Sequence, residues 1–220
     1  MSFNVAIDGP AGAGKSTIAK VVAKKMGYVY VDTGAMYRAM ALYFIRKGIK
    51  AEDTETISTE CKNADISITY MDGAQVVLLD GENVNGYIRT EEVGNMASAT
   101  SVNGEVRKKL VELQQKLAAK ENVVMDGRDI GTVVLPNAEV KVYLTASSAV
   151  RAKRRFLELQ AKGEDADIEK IEQDIIERDH RDMTREISPL KQAEDAVYLD
   201  SSDMTIEEVV QKIMDMVNKA

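Results

Sequence analysis

The chain has 220 residues, of which 45% are hydrophobic and 30% are charged, and this balance is typical of a folded globular protein. Its net charge of −7 argues against a general nucleic-acid binder, and no stretch approaches the roughly 18 consecutive apolar residues of a transmembrane helix. The amino-terminal residues lack a basic and an apolar region, so we expect no secretory signal, and the single cysteine, Cys61, can form no internal disulfide. We therefore expect a cytoplasmic protein with one core domain and insertions.

Short β-rich runs alternate with helical patterns along most of the chain. Strands are predicted at residues 3–8, 28–31, 123–126, 140–144 and 197–199. Helices are predicted at about residues 16–26, 35–46, 54–63, 103–120, 148–162, 167–186 and 206–217. This alternation indicates a doubly wound α/β fold, in which ligands bind beyond the carboxyl ends of parallel strands.

One segment departs from the alternation. Residues 66–70 and 75–79 are predicted to form two antiparallel strands joined by a turn at 71–74, and a further turn follows at 81–83. We interpret residues 63–95, approximately, as an inserted subdomain.

The first predicted strand leads into a glycine-rich loop. Residues 9–16 match G-x-x-x-x-G-K-[ST] in full, between a strand and a helix as the motif requires. In such a loop backbone N–H groups converge on a phosphate, the lysine reaches the β- and γ-phosphates, and the serine hydroxyl binds Mg²⁺. A plain glycine-rich turn is the alternative, which the complete match disfavours. The residues predicted to bind ATP are Gly9, Pro10, Ala11, Gly12, Ala13, Gly14, Lys15, Ser16 and Thr17, with Ser16 also a metal ligand.

The rest of the sequence does not favour nucleotide hydrolysis. GTP-dependent switch proteins need D-x-x-G and N/T-K-x-D segments, and neither is present. Motor and transporter ATPases usually place a glutamate after the Walker B aspartate, whereas Gly127 follows Asp126 here. Because these water-activating groups are missing, transfer of the phosphoryl group to an acceptor is favoured.

Arginines are numerous for an acidic protein. Arg178, Arg181 and Arg185 share one face of a predicted helix with Asp182. Their spacing fits either a solvated helix face with local ion pairs or a phosphate-binding surface. An acceptor that is itself a phosphate needs no general base, and the only histidine, His180, is interpreted as a surface residue.

Four segments together closely resemble the bacterial cytidylate kinases: residues 9–17, 32–38, 126–133 and 178–182. The D-[ST]-G-x-x-Y-R pattern at 32–38 and the D-G-R-D-x-G-T-V pattern at 126–133 are far more specific than the phosphate loop, which many functions share. The resemblance runs essentially end to end and includes the hairpin insertion.

The resemblance implies a P-loop doubly wound five-stranded parallel sheet with helices on both faces, an inserted small antiparallel β subdomain and a helical lid. The implied core domain comprises residues 1–32 and 100–220, with the lid at about 155–168. The implied nucleoside-monophosphate-binding domain comprises residues 33–99, including the insertion at about 63–95.

The implied reaction is Mg²⁺-dependent transfer of the ATP γ-phosphoryl group to CMP or dCMP. The implied catalytic residues are Lys15, Arg128, Arg185, Arg155 and Arg151. The implied CMP-binding residues are Thr33, Tyr37, Arg38, Ser98, Arg107, Arg128, Asp129, Arg178, Asp182 and Arg185. Among these, Arg38, Arg128 and Arg185 would hold the phosphate, Ser98, Arg107 and Asp129 would read cytosine, and Arg178 with Asp182 would contact the ribose.

Two alternatives stay open at this point. One is a kinase of another small acceptor, such as UMP or AMP. The other is a nucleotide-controlled binding module without turnover, for which the hairpin insertion is the only support in the sequence.

Spacing also leaves open which of Arg151, Arg154 and Arg155 reaches the transferred phosphoryl group. We expect a monomer whose partners are ATP and CMP or dCMP, without nucleic acid or membrane.

Overall fold

The computed structural model describes residues 2–71 and 73–220. The chain forms two compact units. The first contains the residues up to Tyr30 and those from Asn122 onward, and the second is Val31–Glu121. Within the described residues, no helix has both the length and the apolar character needed to cross a membrane.

The elements follow one another as strands and helices over nearly the whole chain. The strands are β1 (Asn4–Asp8), β2 (Val29–Asp32), β3 (Ile66–Met71), β4 (Ala74–Leu79), β5 (Glu82–Asn83), β6 (Val123–Gly127), β7 (Val140–Thr145) and β8 (Val197–Asp200). The α-helices are α1 (Lys15–Met26), α2 (Thr33–Arg46), α3 (Thr54–Glu60), α4 (Glu91–Thr100), α5 (Gly104–Ala118), α6 (Ser148–Ala161), α7 (Ile168–Thr184) and α8 (Ile206–Val217). A single turn of π-helix spans Ile130–Val134.

A five-stranded sheet in the order β2–β6–β1–β7–β8 lies mainly in the first unit. Strand β1 pairs in parallel with β6 and with β7, and β7 pairs in parallel with β8. The central strands are almost wholly buried and most of their residues are apolar, as expected where a parallel sheet is covered by other elements. Ile18 and Val22 of α1 and Val210 and Ile213 of α8 complete this core. The predicted parallel α/β sheet is confirmed.

The second unit has a separate core around α2. Met36, Met40 and Phe44 of this helix are buried among side chains from the other helices and the small sheet, including Leu79 and Leu110. Strands β3, β4 and β5 form a three-stranded antiparallel sheet in sequence order, which confirms the predicted hairpin and adds a two-residue strand at the predicted turn.

Helices α4 and α5 differ from the predictions. No helix was predicted over residues 91–100, where α4 lies; its buried face consists of Val93, Met96, Ala97 and Thr100, so its apolar period is weak. Its start is nevertheless marked, because the Thr90 side chain accepts a hydrogen bond from the N–H of Val93. Helix α5 belongs to the second unit rather than to the core domain implied by the sequence, because its Val106 and Leu110 are buried in that unit's core.

Candidate active site

The phosphate loop joins β1 to α1 through a tightly packed backbone. A Cβ atom on Gly9 would lie only 1.9 Å from the carbonyl oxygen of Leu144, so no larger residue fits there. Gly14 is the N-cap of α1 in the left-handed conformation. Since glycine has no side chain to cap the helix, the first N–H groups of α1 remain for an anion, at the positive end of the helix dipole.

Lys15 is buried at the base of this loop. Its Nζ donates a hydrogen bond to the carbonyl oxygen of Pro10 at 2.7 Å. Burial, together with the positive charge of Arg128, lowers the pKa of Lys15 to about 7, while Asp126 and Asp8 oppose the change. The negative charge of a bound triphosphate would favour the protonated form of Lys15.

Ser16 and Asp126 provide an oxygen-rich corner beside the loop. The Ser16 hydroxyl donates to Oδ2 of Asp126 at 2.9 Å, and the Tyr30 hydroxyl donates to Oδ1 at 2.8 Å. Among the described residues no group of three or more His, Cys, Asp or Glu side chains could hold a metal ion. Mg²⁺ in phosphoryl-transfer sites needs only one or two protein oxygens besides phosphates and water, so Ser16 and Asp126 fit this ion.

Asp8, which the sequence analysis did not single out, anchors the segment after β6. Its two carboxylate oxygens accept hydrogen bonds from the N–H groups of Ile130 and Gly131, both at 2.7 Å. Burial raises the pKa of Asp8 to about 6 although both N–H groups lower it. A Cβ on Gly131 would crowd this carboxylate at 3.3 Å. Asp8 therefore sets the path of the chain immediately after Arg128 and Asp129. The signal for it in the sequence was a charged residue at the end of a predicted strand, directly before the phosphate loop.

Arginines and carboxylates form a buried cluster between the end of β6 and the end of α7. Nε of Arg128 donates to Oδ2 of Asp182 at 2.8 Å. The Arg185 side chain is only 4% exposed and lies 3.9 Å from both Asp129 and Asp182. Burial acts to raise the pKa of Asp182, but the charges of Arg128, Arg178 and Arg185 lower it overall. For Asp182 and Arg185, the solvated-face alternative is wrong.

The three arginines of α6 have different surroundings. Arg151 is buried and bonded to the carbonyl oxygens of Ala146 and Ala11 and to Asp179. Arg154 donates to the carbonyl oxygen of Ser201 at 2.9 Å. The Arg155 side chain is 51% exposed and makes a 3.4 Å contact with Glu158. Of the three, Arg155 is the most accessible to solvent.

A cavity of about 520 Å³ opens beside the phosphate loop and is large enough for a nucleoside. Sequence reasoning did not predict its other walls, which come from α6, from the residues just before α8 and from the first turn of α8. Residues lining it outside the loop include Arg154, Ser201, Met204, Thr205, Ile206 and Val209.

In the second unit, Asp32 holds the start of α2 and two arginines. Its Oδ1 accepts the N–H of Ala35, and its Oδ2 lies 2.6 Å from Arg89 and 3.4 Å from Arg38. The amide of Gln75 bonds to both backbone groups of Asp32. Burial acts to raise the pKa of Asp32, but the two arginines lower it overall. The carboxylate is thus ionised between two cations, and Arg89 is a residue that sequence reasoning missed.

The residues implied to read cytosine are divided between the units. Arg107 is buried in the second unit, where its guanidinium lies 5.5 Å from the centre of the Tyr37 ring and donates to the carbonyl oxygen of Ser101 at 3.2 Å. Ser98 lies on α4, half-buried, and Thr33 is buried at the start of α2. Asp129 lies in the first unit, buried beside Arg185.

Comparison with known proteins places this site in a family. The family model described as Cytidylate kinase matches residues 5–219. A cytidylate kinase from Caldicellulosiruptor saccharolyticus is 54% identical over 217 residues, which are 99% of this chain and 96% of that protein. One from Carboxydothermus hydrogenoformans is 49% identical over 217 residues, which are 99% of this chain and 98% of that protein.

A solved structure with the same fold is much more distant in sequence. The gluconokinase from Sinorhizobium meliloti 1021 is 14% identical, with a TM-score of 0.50 over 99% of this chain and 92% of that one. This likeness supports the fold alone. The family model and the curated relatives, which cover nearly the full length, carry the assignment: the chain is a phosphotransferase of the cytidylate kinase family.

Proposed function

We propose that the protein transfers the γ-phosphoryl group of ATP to CMP or dCMP, giving ADP and CDP or dCDP. The observation that carries this proposal is the buried set of arginines and carboxylates at the end of β6 and α7, in the same unit as the phosphate loop. Membership of the cytidylate kinase family supports the choice of acceptor.

The chemistry requires no general base from the protein. The attacking group is a phosphate oxygen of the acceptor, which is largely an anion near neutral pH because the second pKa of a phosphate monoester is about 6. This oxygen forms a new bond to the γ-phosphorus as the bond from that phosphorus to the β,γ-bridging oxygen breaks, and ADP leaves. Catalysis is then positioning and neutralisation of charge.

Cations of the first unit supply the neutralisation. Lys15 is assigned to the β- and γ-phosphates, and Arg128 and Arg185 to oxygens of the acceptor and of the transferred group. Asp182 keeps Arg128 in place through the 2.8 Å bond. When bound, Mg²⁺ supplies further charge neutralisation at the β- and γ-phosphates, and Ser16 and Asp126 are the residues that would hold it.

Arg155 is assigned to the lid. Its guanidinium is exposed and contacts only Glu158 at 3.4 Å in the described contacts of α6, so it would break fewer interactions than Arg151 or Arg154 on reaching a phosphate. Lid closure would exclude water and so prevent waste of the triphosphate. The identification of residues 155–168 as this lid, a cytoplasmic location and a monomeric state remain predictions.

Selectivity for cytosine is assigned to Ser98, Arg107 and Asp129, and binding of the rest of the acceptor to Thr33, Tyr37, Arg38, Arg178 and Asp182. Cytosine presents an amino donor beside two acceptors, so a carboxylate and a guanidinium complement it. Against uracil, a buried carboxylate would be left without its donor, which penalises the wrong base.

An ADP-release assay with ATP–Mg²⁺ and separate CMP, dCMP, UMP, AMP and GMP tests the proposal. We expect strong turnover with CMP and dCMP and little without an acceptor. Arg107→Met and Asp129→Ala should lower kcat/KM for CMP far more than kcat/KM for UMP. ADP release at the same rate with and without an acceptor would contradict the proposal. Tight ATP binding with no turnover would also contradict it and would favour the binding-module alternative.

A further inference from the structure

We infer that Arg151 and Asp179 form a positioning pair that holds the phosphate loop in its nucleotide-binding conformation. The inference rests on the proposed function. It assigns to Asp179 a role in ATP binding and to Arg151 a role other than contact with the transferred phosphoryl group.

The hydrogen bonds of Arg151 are directed into the protein. Nε donates to the carbonyl oxygen of Ala146 at 2.8 Å, and Nη1 donates to the carbonyl oxygen of Ala11 at 2.9 Å. Asp179 receives the other side of the guanidinium, with Nη1 3.2 Å from Oδ1 and Nη2 2.5 Å from Oδ2. The exposed fractions of the two side chains are only 5% and 13%. A two-pronged ion pair at this burial fixes the orientation of the planar guanidinium group.

The loop is held at two neighbouring carbonyl groups. Lys15 bonds to the carbonyl oxygen of Pro10, and Arg151 bonds to that of Ala11, the next residue. A phosphate loop works only when its N–H groups face the anion, so its carbonyl groups need donors elsewhere. The side-chain stem of Arg151 also packs against the loop, since a Cβ on Gly12 would lie 3.5 Å from Cβ of Arg151.

Asp179 extends this connection to α7. It lies three residues before Asp182, which bonds to Arg128. One helix therefore carries a carboxylate that orients Arg151 under the phosphate loop and another that orients Arg128. We expect changes at Asp179 to alter ATP binding through Arg151, although Asp179 itself bears no charge that attracts a phosphate.

The competing role for Arg151, direct contact with the transferred phosphoryl group, makes the opposite prediction for Asp179→Asn. That substitution keeps the Arg151 guanidinium and weakens its ion pair with residue 179 of α7. If Arg151 acted directly, a less restrained guanidinium would keep or increase activity. If the pair positions the loop, ATP binding weakens.

The experiment measures the Kd of ATP and the Kd of CMP by titration calorimetry, with kcat, for wild type, Asp179→Asn, Arg151→Lys and the double variant. Asp174→Asn is the matched control, because it makes the same change at an exposed position of α7. We expect Asp179→Asn to raise the Kd of ATP about tenfold and to leave the Kd of CMP within about twofold, with Asp174→Asn unchanged. The Kd of ATP should be no higher for the double variant than for Arg151→Lys, because both changes break the same ion pair between Arg151 and Asp179.

Thermal unfolding without nucleotide separates positioning from general stability. A purely structural role would lower the unfolding temperature of Asp179→Asn and leave the Kd of ATP unchanged, and this result would overturn the inference. Fully additive effects in the double variant would overturn it as well. If Arg151→Lys does not fold, the comparison of Asp179→Asn with Asp174→Asn decides alone. Absence of CMP turnover in the wild type would contradict the proposed function, while the ATP-binding comparison would still test the positioning pair.

Discussion

At the scale of single residues, Lys15 couples the phosphate loop to pH. Its pKa is lowered to about 7 in the folded protein, whereas in the unfolded chain it has the ordinary value of 10.5. Between these values the unfolded state binds the extra proton, so the free energy of unfolding should rise with pH across this window, by at most about 1.4 kcal/mol per pH unit.

Urea unfolding of wild type and Lys15→Met at pH 7, 8, 9 and 10 measures this contribution. We expect the wild-type free energy of unfolding to rise more steeply with pH than that of Lys15→Met, because methionine fills the site without titrating. Parallel curves for the two proteins would contradict the lowered pKa.

Asp8 makes a second prediction at this scale. In Asp8→Asn one oxygen can still accept an N–H group, but the new amide nitrogen faces the other N–H and cannot. Hydrogen exchange at Ile130 and Gly131 should therefore accelerate, and kcat/KM for CMP should fall about tenfold as Arg128 and Asp129 lose their support. Unchanged exchange at these two amides would show that Asp8 does not hold the segment.

From the sequence, single residues could be predicted where a motif specifies both residue type and spacing. Lys15 and Ser16 were predicted in this way, and the structure places them in the first turn of α1, directly after the loop. Asp8 and Arg89 were missed because their partners lie far along the chain, and Asp32 was missed although Ala35 and Arg38 are near it in the sequence. Asp8, for example, bonds to backbone groups more than 120 residues away.

At the scale of elements, close packing of the phosphate loop on β7 gives a sharp test. Gly9→Ala would force a methyl group onto the carbonyl oxygen of Leu144, where only 1.9 Å is available. We expect a loss of about 3 kcal/mol or more in the free energy of unfolding, measured by urea denaturation.

Gly94→Ala is the matched control, since this glycine lies inside α4 and, among the described residues, no atom beyond its chain neighbours and the backbone of its own helix lies within 4 Å of its Cβ position. There the change should increase stability, by up to about 1 kcal/mol, because alanine favours the helix. Equal effects at both positions would contradict the described packing of the loop.

Elements with a clear period were predicted well from the sequence. The C-terminal helix α8 has a continuous apolar stripe, and its start carries a capping box between Thr205 and Glu208. The π-helix at Ile130–Val134 was not predicted, since it follows from two hydrogen bonds to Asp8 rather than from local preference.

At the scale of the whole molecule, the chain contains two units with separate cores, and residues assigned to the acceptor occur in both. The inserted antiparallel sheet was recognised because its alternating strands interrupt the βα pattern. The assignment of α5 to the second unit could not be predicted, because its apolar face suits either core and only the packing of Val106 and Leu110 decides.

The central claim is that one phosphoryl group passes from ATP to a cytidine monophosphate. The most direct measurement incubates the protein with Mg²⁺, CMP and ATP labelled in the γ-phosphate, and follows the label by chromatography. The label should appear in the β-phosphate of CDP, in amounts equal to the ADP formed, and replacing CMP by GMP should abolish it. Label found only in inorganic phosphate, or retained in ATP, would contradict the account.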